Sequence, residues 1–443
     1  MLPGPAVLYG VDHPGRSLPV LSHDGRALVS WIFGTSFLWL IYYPILSCLK
    51  VLLFFHPKVK ERLAFENKNT LEPGARSFKL DQVRADLCFE FSSEGEYQQV
   101  ASLIDDCLSE GKKLELVFFS PSVEKTVLEL QARHPNQIRY FRYPVLSLGF
   151  SSWISSETLI LVRYDLFPEF LIWGMKEKRK LKFVWVSFKK ERVRKLSLSA
   201  FKRAFLNRAD SLIFSSDADA TFAKELGFTG SVYDFRMEQI KRRMENRLQK
   251  FSSHFALYSE FKSFLETYPR EKRLILGNAW PEDLFLLESA PADVLIVIVP
   301  HQLKPEIISR MQEQLRALGR EAEIITDETK VLNPRSTILI NKKGILCELY
   351  ADFGKAYVGG GFGVSVHSLL EPLVAGSENL SCGPVNFRST EFDLSQSYGS
   401  LKEIKNSQEF KDWLHEDVRG LKVHGKLEGQ LLAYPAYKKE ILS

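Results

Sequence analysis

Ten short apolar runs, separated by helical or polar stretches, constrain this chain more than any other feature. Leu87–Phe91, Leu114–Phe119, Leu159–Val162, Phe183–Val186 and Ser211–Phe214 form a first series. Leu274–Leu276, Val294–Val299, Glu323–Ile325, Ser336–Ile340 and Lys355–Val358 form a second. Runs of this length, alternating with helical stretches such as Tyr97–Glu110, predict βαβ units and therefore parallel sheets with right-handed crossovers. The charged stretch Met237–Lys250 separates the two series, with a linker expected near 240–270. A chain of 443 residues, 45% of them hydrophobic, suits two such α/β domains better than one. Open parallel sheets bind ligands at the carboxyl ends of their strands, so the loops that follow strands are where function is to be sought.

The most informative of those loops is Val358-Gly-Gly-Gly-Phe-Gly363, four glycines in five positions between a strand and an amphipathic helix. Glycines admit close approach of a ligand to backbone, and a helix start offers unpaired N–H groups to a phosphate. His367 and Glu371 stand four residues apart, on one face of that helix. A tight strand-to-helix turn with ordinary packing is the plain alternative. Four other strand ends carry polar groups. Phe91-Ser-Ser-Glu94-Gly-Glu96-Tyr97 places two carboxylates at a helix start, where they serve either as caps or as a general base. Val162-Arg163-Tyr164-Asp165 follows another strand, and Val299-Pro300-His301-Gln302 a third. Gly277-Asn-Ala-Trp-Pro-Glu-Asp283 has the proline and acidic residues of a helix start.

From Ala27 to Leu49 no residue is charged, a length that spans a bilayer as a helix or lies along its surface. Lys50, Lys58, Lys60 and Arg62 follow it, which places the larger C-terminal part on the cytoplasmic side. Residues 1–26 are rich in Pro and Gly and are expected to be poorly ordered. A net charge of only +5 argues against a general nucleic-acid binder, while the clusters Lys178–Lys182, Lys189–Lys195 and Lys241–Arg243 suit anionic lipid or substrate. The five cysteines are scattered without metal-type spacing, so neither a disulfide framework nor a zinc site is indicated.

The order of these segments resembles the Kdo transferases, membrane-anchored glycosyltransferases that move 3-deoxy-D-manno-octulosonic acid (Kdo) from CMP-Kdo to a lipid A precursor. The family's Ser-x-Gly-Glu is matched by Ser93-Glu94-Gly95-Glu96, and its Lys-Tyr-Glu-Phe-Trp by Arg163-Tyr164-Asp165-Leu166-Phe167. Its Gly-Asp-Thr-Arg-Phe-Asp is echoed by Asp234-Phe235-Arg236-Met237-Glu238. Gly277–Asp283, Pro300-His301, Gly344 to Tyr350, the glycine loop, His367, Glu371-Pro372 and Gly383-Pro384 follow in the family's order. The resemblance implies an α/β GT-B fold, with two Rossmann-like domains facing a cleft and an N-terminal membrane-anchor helix ahead of them. On that division residues 1–70 hold the disordered terminus, anchor and basic flank, 71–240 the acceptor domain and 241–443 the nucleotide-sugar domain.

It also implies an inverting displacement, with Glu96 as general base and Glu94 as its rival. Gly359, Gly360, Gly361 and Gly363 would hold the phosphate and Glu371 the ribose, while His301, His367 and Ser368 would complete the donor site. Ser93, Gly95, Arg163 and Asp165 are assigned to the acceptor, with the basic segment Lys178–Arg208 near its phosphates or the anionic inner leaflet. No metal or other cofactor is expected, no nucleic-acid partner, and the protein is placed at the cell inner membrane. The chain departs from the family at Ser368, where Asn is usual, and at Asp165, a shortened acid. Arg163 stands where many members are acidic, an arginine-rich loop shrinks to His301 and Lys304, and Ser377–Leu380 replaces a small-Pro-Val strand. These changes surround the donor, so a UDP-sugar transferase or epimerase of the same architecture, and a tethered non-catalytic homologue, stand as alternatives.

Overall fold

The structure, a computed structural model, describes residues 56–72, 84–144, 149–163, 166–188, 198–333, 335–363, 368–384, 390–397, 401–416 and 424–443, together with positions 44, 45, 48, 191 and 366. Two seven-stranded sheets, parallel throughout, dominate it. The first contains β1 (Leu87–Phe91), β2 (Leu114–Phe118), β3 (Ile138–Arg142), β4 (Thr158–Val162), β5 (Lys180–Val186), β6 (Ser211–Phe214) and β7 (Ser231–Val232), in the order β3-β2-β1-β4-β5-β6-β7. The second contains β8 (Arg273–Ala279), β9 (Leu295–Pro300), β10 (Ala322–Ile325), β11 (Thr337–Ile340), β12 (Lys355–Val358), β13 (Asn379–Cys382) and β14 (Leu401–Glu403), in the order β10-β11-β9-β8-β12-β13-β14. The strand order therefore reverses once in each sheet, between β1 and β4 and between β8 and β12. Those reversals open the crevices in which doubly wound folds bind ligands.

The central strands are buried on both faces, as a parallel sheet covered by helices requires. Helix α1 (Pro57–Leu71) lies at the carboxyl ends of β2 and β3, where Arg62 donates to the carbonyls of Phe119 and Tyr143. Arg62, counted above in a basic flank, is thus turned inward, with its guanidinium 4.3 Å from the Phe119 ring centre. Helix α2 (Glu94–Ser109) begins three residues before the expected Tyr97 and presses Val100, Leu103, Ile104 and Cys107 into the first core.

The expected linker is helical. Residues Arg236–Glu245 (α3), Arg247–His254 and Tyr258–Leu265 are helices, each turning apolar side chains into the second core: Met237 and Ile240 from the first, Phe251 from the second, and Tyr258, Phe261 and Leu265 from the third. Beyond β12 lie the short α4 (Leu370–Ala375), α5 (Thr390–Ser397), α6 (Ser407–His415) and, at the carboxyl terminus, α7 (Tyr434–Leu442). Helix α7 returns to the first sheet, contributing Tyr434 and Ile441 to its core.

The uncharged stretch 27–49 falls outside the described residues except at positions 44, 45 and 48. Among the described residues no helix is long and apolar enough to cross a membrane. Of the basic clusters, Lys178–Lys182 is not a solvated face throughout. Lys182 is 4% exposed and donates to the carbonyls of Glu440 (2.9 Å) and Ile441 (3.0 Å) in α7. In the cluster 241–243, Arg242 and Arg243 are likewise committed to carboxylates.

Candidate functional site

Each crevice brings together residues that the sequence places at strand ends. At the first, Ser93 and Glu94–Glu96 follow β1, and Arg163 follows β4. Glu96 is 7% exposed and its Oε2 accepts from the Ser92 N–H at 2.7 Å. Its Oε1 lies 3.6 Å from Arg163 Nη1. Glu94 is tied instead to Gln98 (2.9 Å) and Thr126 (2.7 Å), away from Arg163. Gly95, between them, is exposed, and a Cβ there would meet nothing within 4 Å. The helix start is therefore open at Gly95, while Glu96 is both a cap and a carboxylate beside an arginine.

Arg163 has φ +69° and Trp185, in β5, has φ +59°, a conformation that a bulky residue rarely adopts. The pairing of β5 with β6 shifts register between Phe183 and Val186, around Trp185. The Arg163 guanidinium stands 4.9 Å from the Trp185 ring centre, and that of Arg236 stands 5.4 Å from it. Arg236 also binds Asp234 through Nε–Oδ1 (3.0 Å) and Nη2–Oδ2 (2.5 Å), and through Nη1 it reaches Glu391 on α5. Burial works against its charge, and Asp234 and Glu391 more than offset this, so it stays firmly protonated. Neither Trp185 nor Glu391 was singled out in the sequence; no local spacing marks them.

At the second crevice the glycine loop follows β12 and Trp280 follows β8. Asp283, fully buried, organises the turn. Its Oδ2 accepts from the N–H of Trp280 (2.8 Å) and of Gly360 (3.1 Å), and its Oδ1 from the Tyr357 hydroxyl (3.0 Å). Burial pushes this carboxyl above the usual range for Asp. A Cβ at Gly359 would lie 2.6 Å from Asp283 Oδ2, so the glycine is needed for this contact. Gly361 is equally constrained, since its Cβ would fall 2.5 Å from Gly383, bringing two of the resemblance's segments together. The Gly359 N–H donates to the Gly277 carbonyl (2.9 Å). The amides of Gly359 and Gly360 thus serve the fold, and those of Leu369 (2.8 Å) and Leu370 (3.3 Å) donate to Glu391 Oε2. Gly363 is exposed with open space around it, and Ser368 is half-buried.

His301 stacks on Trp280, with ring centres 4.9 Å apart, and burial lowers its pKa and favours neutral imidazole. Glu371 keeps about a quarter of its side-chain exposure and lies 3.6 Å from Arg243. Its pKa is raised by burial and by Glu391 and Glu348. His367 and Asp165 lie outside the described residues.

The two parallel sheets with their paired crevices define a two-domain GT-B architecture. No protein-family model and no curated protein matches the chain by sequence. Among solved structures it is similar to a Listeria monocytogenes protein named as a UDP-N-acetylglucosamine 2-epimerase, at 12% identity and TM-score 0.50, covering 81% of this chain and 98% of that one. It is similar to the UDP-GlcNAc 2-epimerase of Neisseria meningitidis bound to UDP-GlcNAc, at 10% identity and TM-score 0.46, covering 81% and 94%. The C-terminal CMP-Kdo binding domain of WaaA from Acinetobacter baumannii aligns at 18% identity and TM-score 0.31, covering 45% of this chain and 93% of that domain. At these identities the likeness is one of fold.

Proposed function

We propose that this chain is an inverting glycosyltransferase that moves Kdo or a related sugar acid from a CMP-activated donor to a lipid A precursor. The observation that carries the reading is Glu96, a carboxylate at an open helix start in the first crevice with an arginine 3.6 Å away. In the reaction Glu96 takes the proton of the acceptor hydroxyl, whose oxygen forms a bond to the anomeric carbon as the bond to the CMP phosphate breaks. The phosphate departs with the electron pair, and configuration inverts. The second crevice binds the nucleotide, with His301 and Trp280 at its wall, Glu371 at the ribose and the exposed end of the glycine loop near phosphate. The exposed end of the glycine loop, beyond Gly360, stabilises the leaving charge, and no metal is assigned a part.

A lipid-borne acceptor fits the position of α1. That helix follows the uncharged stretch 27–49 in sequence and lies at the carboxyl ends of β2 and β3, the end of the sheet at which Glu96 follows β1. Phe167 stacks there on Tyr143 (4.2 Å) and Phe119 (5.6 Å), giving the rim apolar character. In this reading the anchor holds the protein at the cell inner membrane with both sheets in the cytoplasm. The likeness in fold to an epimerase-named protein favours one alternative, an enzyme acting on a UDP-sugar.

The nucleotide decides between them. A ligand that binds only the native state raises the melting temperature by mass action, so CMP is expected to stabilise the purified protein and UDP not to. Stabilisation by UDP alone moves the donor to a UDP-sugar, and no response to either at millimolar concentration removes the transferase reading. Glu96→Gln is expected to cut turnover by about 10²–10⁴-fold with CMP stabilisation retained. Full activity in that variant excludes Glu96 as the base.

A further inference from the structure

Glu96 on α2 and Glu391 on α5 belong to different halves of the chain, yet a set of contacts joins them. Glu96 meets Arg163 at 3.6 Å, Arg163 lies over Trp185, Arg236 lies over the same ring, and Arg236 pairs with Glu391. Glu391 in turn accepts from the Leu369 and Leu370 amides, directly behind the glycine loop. Two of the five residues carry signs that their placement is imposed. Trp185 is held at φ +59° inside a strand whose register shifts around it, and Arg163 at φ +69°. Neither conformation is what such side chains choose locally, and both put cationic and aromatic groups into one stack. Arg236 has its own aspartate two residues away, yet it also reaches across to the second sheet.

We infer that Trp185 and Arg236 are positioning residues: together they hold Arg163 against Glu96 and make the geometry of that carboxylate depend on how the second domain sits against the first. The inference rests on the proposed function for its consequence, but the coupling itself is a property of the folded chain. Its chemistry is simple. The Ser92 amide and Arg163 both hold Glu96, and Arg163 leans on an indole beside a second guanidinium, that of Arg236, which is paired with Glu391 of the far domain. Cutting this set of contacts at Trp185 or at Glu391 then loosens the carboxylate that accepts the proton. Two variants that cut the contacts at different points test the coupling.

The test is amide hydrogen exchange of the full-length protein without ligand. The peptide spanning 92–97 is expected to exchange at least tenfold faster in Glu391→Gln and in Trp185→Leu than in the unaltered protein, with strand peptide 295–300 unchanged. Trp185→Phe, which keeps a flat ring, is expected to stay within threefold. If Glu391→Gln does not fold, Glu391→Asp shortens the reach to Arg236 and carries the same expectation. An unchanged 92–97 peptide in either folded variant overturns the inference, as does an equal acceleration of 295–300, which marks general loosening. In the transfer assay Trp185→Leu is expected to lose at least tenfold in kcat with nucleotide stabilisation unchanged. Should neither CMP nor UDP stabilise the unaltered protein, the functional reading fails while the exchange result still decides this one.

Discussion

Glu371 stands half-buried with Arg243 at 3.6 Å on one side and two further acids, Glu348 and Glu391, close enough to resist its ionisation. Its pKa in the folded chain is raised above the ordinary 4.5, by burial first and then by those acids. The sign of the linkage follows. At low pH the group is protonated in both states and costs nothing; as pH rises through the folded value, the unfolded chain releases its proton more readily, and stability falls. Glu371→Gln removes that loss. Its melting temperature relative to the unaltered protein is therefore expected to be more favourable at pH 7 than at pH 4, and a difference that is flat or reversed refutes the assignment. At this scale the sequence was readable in part. The glycine run announced a close approach of backbone, and Glu96 announced a carboxylate at a strand end. What approaches Gly359 is Asp283, and what receives the amides at the start of α4 is Glu391. Both partners lie far from the loop in sequence, so no local pattern contained them.

Two lysines play matching parts in the two halves of the chain. Lys355 opens β12, is 2% exposed, and donates to the carbonyls of Trp413 (3.3 Å), Leu414 (2.5 Å) and Glu416 (2.9 Å) at the end of α6. Lys182 in β5 does the same for the last carbonyls of α7. A helix end leaves its final carbonyls unpaired, and an ammonium there answers both their hydrogen-bonding need and the dipole. Lys355→Met fills the volume but strips the carbonyls of their donor, and it is expected to cost about 2–4 kcal/mol in urea unfolding. A cost below about 1 kcal/mol means that water replaces the ammonium. Elements of this kind show how far sequence reaches. The central strands were legible because their apolar runs are continuous, as burial on both faces demands. Strands β3, β7, β13 and β14 were not, because none is a continuous apolar run: β3 carries two arginines, β7 is two residues long, β13 reads Asn-Leu-Ser-Cys, and β14 holds lysine and glutamate. The register shift at Trp185 has no local signature at all.

Across the whole molecule the two sheets are joined by α3, which the sequence had suggested as a linker. Consecutive arginines on this helix face opposite ways. Arg242 pairs with Asp106 of α2 (2.7 Å), on the first sheet, while Arg243 forms a two-point pair with Glu348 (3.0 and 3.2 Å), on the second. Ser102 of α2 adds a hydrogen bond to the Phe235 carbonyl at the start of α3 (3.3 Å). Glu348 is 2% exposed, so removing Arg243 leaves a buried charge uncompensated, a loss of about 3–5 kcal/mol. Asp106 keeps Lys438 and Tyr434 of α7 as partners, so the loss of Arg242 alone is smaller. Asp106 of the first half therefore stays paired through α7 when the two arginines are lost, whereas Glu348 of the second half loses its arginine. A single cooperative unfolding transition is expected for the unaltered protein, since α3 pairs with both halves and the C-terminal segment runs from Leu427 in the second core to Tyr434 and Ile441 of α7 in the first. With Arg242→Gln and Arg243→Gln combined, calorimetry is expected to show two transitions, the second half melting first. One undivided transition at a lower temperature shows instead that the remaining ties, Arg236 to Glu391 and the C-terminal segment that enters both cores, keep the halves in one cooperative unit.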